Sequence, residues 1–130
     1  MSQISSPNGS SYGVTYTWVQ GDTINDPVVI SKNTGVVDIS LYNFWFTVKP
    51  NYGVPDSQAI FGPFNWTIGV GLGVSGLTSI VATKAQTLSI AAGAYVFDFI
   101  MIDPSGNETT LMTSAPNGSM IILPRVSLTH

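Results

Sequence analysis

Apolar and polar residues alternate along this chain in short bursts, and Gly, Asn, Pro and Asp separate the bursts. Val14, Tyr16 and Trp18 alternate with Thr15 and Thr17, which predicts a strand with one aromatic face closed by Gln20, Gly21 and Asp22. Pro27 to Ser31 reads as a short Val-rich strand, and Lys32 to Gly35 as a turn from its Asn and Gly content. From Val36 to Val48 strand formers are continuous, until Pro50 forbids further ladder donation. Apolar residues there sit on both parities: Val37, Ile39, Leu41 and Trp45 against Tyr42, Phe44, Phe46 and Val48. A bulge or break near Asp38 to Ser40 lets each half keep one buried face.

Residues 51–62 turn to Gly, Pro, Asp and Ser, and predict a long loop. A regular alternation follows. Phe64, Trp66, Ile68, Val70, Leu72 and Val74 occupy every second place, with Gly69, Gly71 and Gly73 among the residues between them. This reads as one strand, bulky on one face and bare on the other, where glycine lets another backbone or ring lie close. Gly76 ends it, and Thr78 to Ala82 reads as another short strand. Thr83 to Ser89 has fair helix propensity but is long enough for only one or two turns. Tyr95 to Ile102, the turn at Asp103 to Asn107 and the polar return through Thr113 make a clear hairpin, and Pro124 marks an edge or the end of a last strand.

The pattern therefore predicts an all-β fold: an immunoglobulin-like antiparallel β-sandwich of seven to nine short strands, with at most one short helical turn. Residues 1–12 are Ser, Gly and Asn with one Pro and read as a flexible N-terminal arm. Residues 13–130 read as one sandwich domain, which the length of 130 residues permits.

Composition sharpens this. Only 8% of residues are charged, against about 25% in an ordinary domain. Such a chain either covers itself with hydroxyl and amide groups or is covered by another chain. The four cations, Lys32, Lys49, Lys84 and Arg125, and a net charge of −3 argue against nucleic-acid binding, which needs clustered cations. The start, Met1 to Ser11, lacks the basic and apolar regions of a signal peptide, and no apolar run is long enough to span a bilayer. Neither a membrane partner nor a secretion signal is expected. With no cysteine, no disulfide framework exists.

Catalytic chemistry is hard to assemble from these residues, and neither an enzyme nor a cofactor is expected. The one histidine is His130, the last residue, and no Gly-x-Ser-x-Gly elbow is present. Asp22 with Asp26, and Asp103 with Glu108, are the candidate carboxylate pairs, but all are flanked by turn residues, where Asp commonly bonds its own backbone. The run from Asp103 to Glu108 lacks the ligand spacing of a calcium loop, so no metal site is assigned. Asp98 lies within an apolar strand and needs a partner, for which Arg125 is the candidate. Consecutive aromatics from Tyr42 to Phe46 cannot all face one core. Tyr42, Phe44, Trp45 and the loop residue Tyr52 are therefore the candidate interface residues.

Several phrases, taken in order, resemble a family of small β-sandwich proteins of tailed bacteriophages: fibre-collar immunoglobulin-like domains, fibre-attachment proteins and upper baseplate proteins. They are Trp18 to Thr23, Val37 to Ser40, Thr87 to Asp98, Asp103 to Asn107 and the closing strand. The resemblance covers about Val14 to Arg125, and departs from the usual pattern in the Gly-Val alternation and the aromatic-rich middle. It implies a non-enzymatic virion component, assembled in the host cytoplasm, that docks neighbouring subunits or fibres at the tail or baseplate. Its partners would be other virion proteins, including further copies of itself as a homo-oligomer. A capsid decoration protein on the phage head and a carbohydrate-binding module are the alternatives.

Overall fold

Among the described residues of the computed structural model, which are 2–5, 12–32 and 35–126, ten strands form. They are β1 (Ser2–Ser5), β2 (Tyr16–Val19), β3 (Ile24–Lys32), β4 (Gly35–Val36), β5 (Asn43–Lys49), β6 (Phe61–Thr67), β7 (Leu77–Ala82), β8 (Gly93–Ile102), β9 (Glu108–Thr113) and β10 (Met120–Leu123). A 3-10 turn at Asp56–Gln58 and one short helix, α1 (Lys84–Leu88), complete the elements. In one sheet β3 pairs with β1, β4 and β7; in the other the order is β2-β10-β8-β5-β6, with β9 also on β8.

Period-two alternation explains the sandwich. On β5, Phe44, Phe46 and Val48 are buried, and the register against β8 sets them opposite Met101, Phe99 and Phe97. Phe44 stacks on Phe99 and on Trp66 of β6, while Phe46 packs against Trp18, Phe61, Phe97 and Phe99. Val28, Ile30, Ile80 and Ala82 close the core from the other sheet. Polar ties join the layers at its margin. The Tyr16 hydroxyl donates to Asp26 Oδ2 at 2.5 Å, and Trp66 Nε1–H donates to Thr78 Oγ1 at 2.8 Å. Burial, reinforced by the Asp26 carboxylate, pushes the Tyr16 phenol well above its ordinary pKa.

Local chemistry sets the corners. Thr83 caps α1 in a reciprocal capping box with Gln86, and the buried Thr87 hydroxyl donates to Asp22 O at 2.7 Å. Tyr95, at the start of β8, donates its hydroxyl to Ala91 O at 2.6 Å. The bond reaches back four residues and ties the start of β8 to the segment before it, as a tyrosine corner does. At the β8–β9 turn, Asp103 accepts from the Ser105 and Asn107 amides, which holds its carboxyl below the ordinary range.

Three expectations are corrected. Not every pairing is antiparallel: β1 runs parallel to β3, and β2 parallel to β10. No hairpin joins the strands of either pair, so turn geometry does not set their direction. The N-terminal arm contains β1, because a ladder uses main-chain groups that hydroxyl-rich residues also possess. Met1 and residues 6–11 of that arm lie outside the described residues. The long alternation is not one strand, for β6 ends at Thr67. Beyond it the Leu72 amide bonds Gly69 O and the Gly76 amide bonds Gly73 O, so the glycines supply turns. The expected close approach does occur: a Cβ at Gly73 would lie 2.2 Å from the Ser40 amide nitrogen.

Phe46→Ala should lower unfolding free energy by about 3–5 kcal/mol, and Tyr95→Phe by about 0.5–1.5 kcal/mol. Urea unfolding followed by intrinsic fluorescence checks both. A Phe46→Ala loss below that of Tyr95→Phe would contradict the placement of Phe46 at the centre.

Candidate functional site

Because Phe44, Phe46 and Val48 face inward, Trp45, Thr47 and Lys49 must face outward from β5. Register then decides their neighbours on β8: Trp45 lies opposite Ile100, Thr47 opposite Asp98, and Lys49 opposite Val96. On the far side of β8, Asp98 is opposite Thr113 of β9. The outer face of the six-stranded sheet thus carries a carboxylate between two threonines, with an indole on the adjoining row.

Two shallow grooves meet on this face and share Thr47, Lys49 and Asp98 as floor. The first, about 330 Å³, is also lined by Trp45, Pro63, Ile100, Ile102 and Glu108. The second, about 290 Å³, includes Asn51, Tyr52, Val96 and Thr113. Lys49 Nζ is held by Asp56 Oδ1 at 2.7 Å and by Val54 O at 2.8 Å, so it ties the loop after β5 to the sheet. The Tyr52 hydroxyl lies 3.1 Å from Ser114 Oγ, a buried group that also accepts from the Phe97 amide. Its ring is nonetheless 54% exposed, so it is anchored at one end and presented to solvent.

Asp98 is half-buried. Burial raises its pKa, Lys49 opposes that shift, and the Asp56 and Glu108 carboxylates reinforce it. The expected Asp98–Arg125 pair is not formed. Arg125 pairs instead with Asp22 and donates from Nε to Gln20 O at 2.5 Å. The cause is topological: β10 pairs with Gly93 to Tyr95 at the start of β8, whereas Asp98 lies on the half paired with β9.

The four interface candidates separate. Trp45 and Tyr52 are exposed on or beside the grooves, whereas Tyr42 is partly buried against the core. Burial, with the Asp103 and Asp38 charges, raises the Tyr42 phenol pKa. Phe44 is corrected from interface to core, since it is fully buried between Trp66 and Phe99. The carboxylate pairs do not assemble either. Asp22 goes to Arg125, Asp26 to Tyr16, and Asp103 to its own turn. His130 lies outside the described residues. Among the described residues, no group of three or more His, Cys, Asp or Glu side chains is placed to hold a metal ion.

A second surface escaped the pattern reading. Val70, Leu72 and Val74 are 79%, 75% and 63% exposed on the turns between β6 and β7. Leu41 is exposed on the neighbouring turn, and Leu77 and Val81 on β7. These turns are fixed at their base by the Ile39 amide bonding Gly73 O at 2.9 Å and the Gly73 amide bonding Ser40 Oγ at 3.0 Å. The available signal was glycine at every second place, which suits turns better than strand.

No protein-family model matches this chain, and no curated protein matches it as a relative.

The Asp98 shift has a definite sign. A carboxyl with a raised folded pKa favours folding while protonated, and that contribution is lost as pH rises through the folded value. Asp98→Asn should therefore gain stability relative to wild type on going from acid to neutral pH. Urea midpoints for both proteins across pH 3 to 7 read this difference, and a stability of the variant minus that of wild type that falls as pH rises would overturn it.

Proposed function

We propose that this protein is a non-enzymatic structural component of a tailed-phage virion that docks neighbouring subunits or fibres at the tail or baseplate. The observation that carries the docking part is the exposed apolar surface of Leu41, Val70, Leu72, Val74, Leu77 and Val81 on hydrogen-bonded turns and a sheet edge. No charged residue occurs between Asp56 and Lys84, so nothing in that stretch opposes burial against another protein. The resemblance of Trp18 to Thr23, Val37 to Ser40, Thr87 to Asp98, Asp103 to Asn107 and the closing strand to tailed-phage sandwich proteins supplies the virion. In this reading the aromatic core provides rigidity, and the apolar turns and the outer sheet face provide contacts.

The grooves favour a second reading, carbohydrate binding. Trp45 and Tyr52 offer ring faces beside the Asp98 carboxylate and the Asn51 amide, a combination of apolar platform and polar groups suited to a sugar.

Electron microscopy of phage particles from the source lysate, labelled with antibody against this protein, tests the proposal. Label is expected at the tail end. Label over the head would replace it with capsid decoration, and unlabelled particles bearing an accessible epitope would overturn the virion reading. Glycan-array binding by a folded monomer, lost in both Trp45→Ala and Tyr52→Ala, would establish the second reading instead.

A further inference from the structure

β7 lies at an edge. It pairs with β3 on one side, and among the described residues no strand pairs with its other side. In an antiparallel ladder, opposed residues alternate between pairs that exchange both hydrogen bonds and pairs that exchange none. Pro27 of β3 stands opposite Ser79 and has no N–H to give, so that pair is of the second kind. The bonded pairs are then Ile24 with Ala82, Asp26 with Ile80, and Val28 with Thr78. The Ile30 amide, donating to Gly76 O at 2.8 Å, continues the same phase. It follows that the backbone groups of Leu77, Ser79 and Val81 point away from β3, toward the open edge.

Natural sheets usually blunt such an edge with Lys, Pro or a bulge. Leu77 to Ala82 contains no charge and no proline, and its pairing with β3 has no register shift. Leu77 and Val81 are 41% and 61% exposed, while the intervening Thr78 and Ile80 are buried. The edge reads large, small, large from either end: Leu77, Ser79, Val81.

From this symmetry we infer that β7 is a dimerisation edge, whose occupant is the β7 of a second copy running antiparallel about a two-fold axis at Ser79. Ser79 then faces Ser79, and Leu77 of each copy faces Val81 of the other. The open N–H and C=O groups of all three residues are paired, and the two sheets become one continuous sheet. Both edges are uncharged, so an acidic chain of net charge −3 meets its copy here without bringing like charges together.

A second feature favours a copy over an unrelated extended segment. Beside this edge runs a groove of about 410 Å³, lined by Phe64, Trp66, Thr78 and Val81. The axis is perpendicular to the sheet, so it sets the two grooves face to face and covers Phe64, which is 36% exposed in the single chain. One short strand per copy makes a small interface, with a Kd on the order of 10–100 μM. An affinity of that size suits a subunit repeated in an assembly. The inference deepens the docking reading by naming one neighbour, and its test needs no virion.

Sedimentation equilibrium of the purified full chain over a range of concentrations should show reversible dimerisation. Val81→Lys should weaken it by more than about tenfold, equivalent to about 1.4 kcal/mol. Its side chain is exposed, so folding should survive, as circular dichroism would verify; Leu77→Lys serves if it does not. Ser79→Cys tests the register in a chain with no other cysteine. Facing residues of a bonded pair lie about 5.5 Å apart at Cα, within disulfide reach, so mild oxidation should yield a covalent dimer. Ser57→Cys, in the exposed loop, should not cross-link comparably. A monomer at every concentration overturns the inference. So does a dimer that neither Lys variant weakens, or a Ser79→Cys protein that cross-links no faster than the control. A dimer that labels no phage particle keeps this inference and removes the virion reading, while a monomer that labels the tail does the reverse.

Discussion

Everything else in this protein rests on ring-to-ring packing across the inner face of the six-stranded sheet, on which Val28, Ile30, Ile80 and Ala82 of the other sheet close. Phe44 and Phe46 on β5 and Phe97 and Phe99 on β8 occupy neighbouring inward positions, with Trp18, Phe61 and Trp66 closing around them. The chain has no cysteine, and the ion pairs Lys49–Asp56 and Arg125–Asp22 of the described residues lie at the margin. Partly exposed ion pairs contribute little, whereas each buried large aromatic contributes several kcal/mol, so cohesion is assigned to the rings.

That packing also determines what faces water. Once alternate β5 residues are committed inward, Trp45, Thr47 and Lys49 have no choice but the outer face, and β8 must present Asp98 and Ile100 beside them. The grooves are a by-product of core registration. At the other extreme, the glycine-rich turns between β6 and β7 bury their backbone against Ile39 and Ser40 and leave Val70, Leu72 and Val74 outside. Apolar and charged surface are consequently segregated. The residues from Ser57 to Thr83 carry no charge, while Lys49, Asp56, Asp98 and Glu108 line one groove. An isolated chain in water gains little from such segregation, but a subunit with neighbours gains from it.

Legibility followed the range of the interaction responsible. The hairpin turn at Asp103, the short helical turn after Thr83 and the strand from Tyr95 to Ile102 depend on residues close in sequence, and all were visible in the pattern. Arg125 was misassigned to Asp98 because its true partner, Asp22, is 103 positions away and meets it only through the parallel pairing of β2 with β10. Phe44 was placed outside for a related reason. A run of aromatics shows that some must be exposed, but parity relative to the break before β5 decides which. The alternation from Phe64 to Val74 misled because period two is also produced by glycine turns that happen to space their apolar residues evenly.

Alone, then, the amino-acid order determined an all-β sandwich, its hairpin turn at Asp103, its one short helix and its shortage of charge, since these follow from periodicity, backbone preference and composition. Tertiary structure decided the parallel strand pairs, the partners of Asp98 and Arg125, the emergence of Trp45 beside Asp98, and the open edge of β7. Those outcomes depend on register between distant strands, and a shift of one residue turns every side chain to the opposite face.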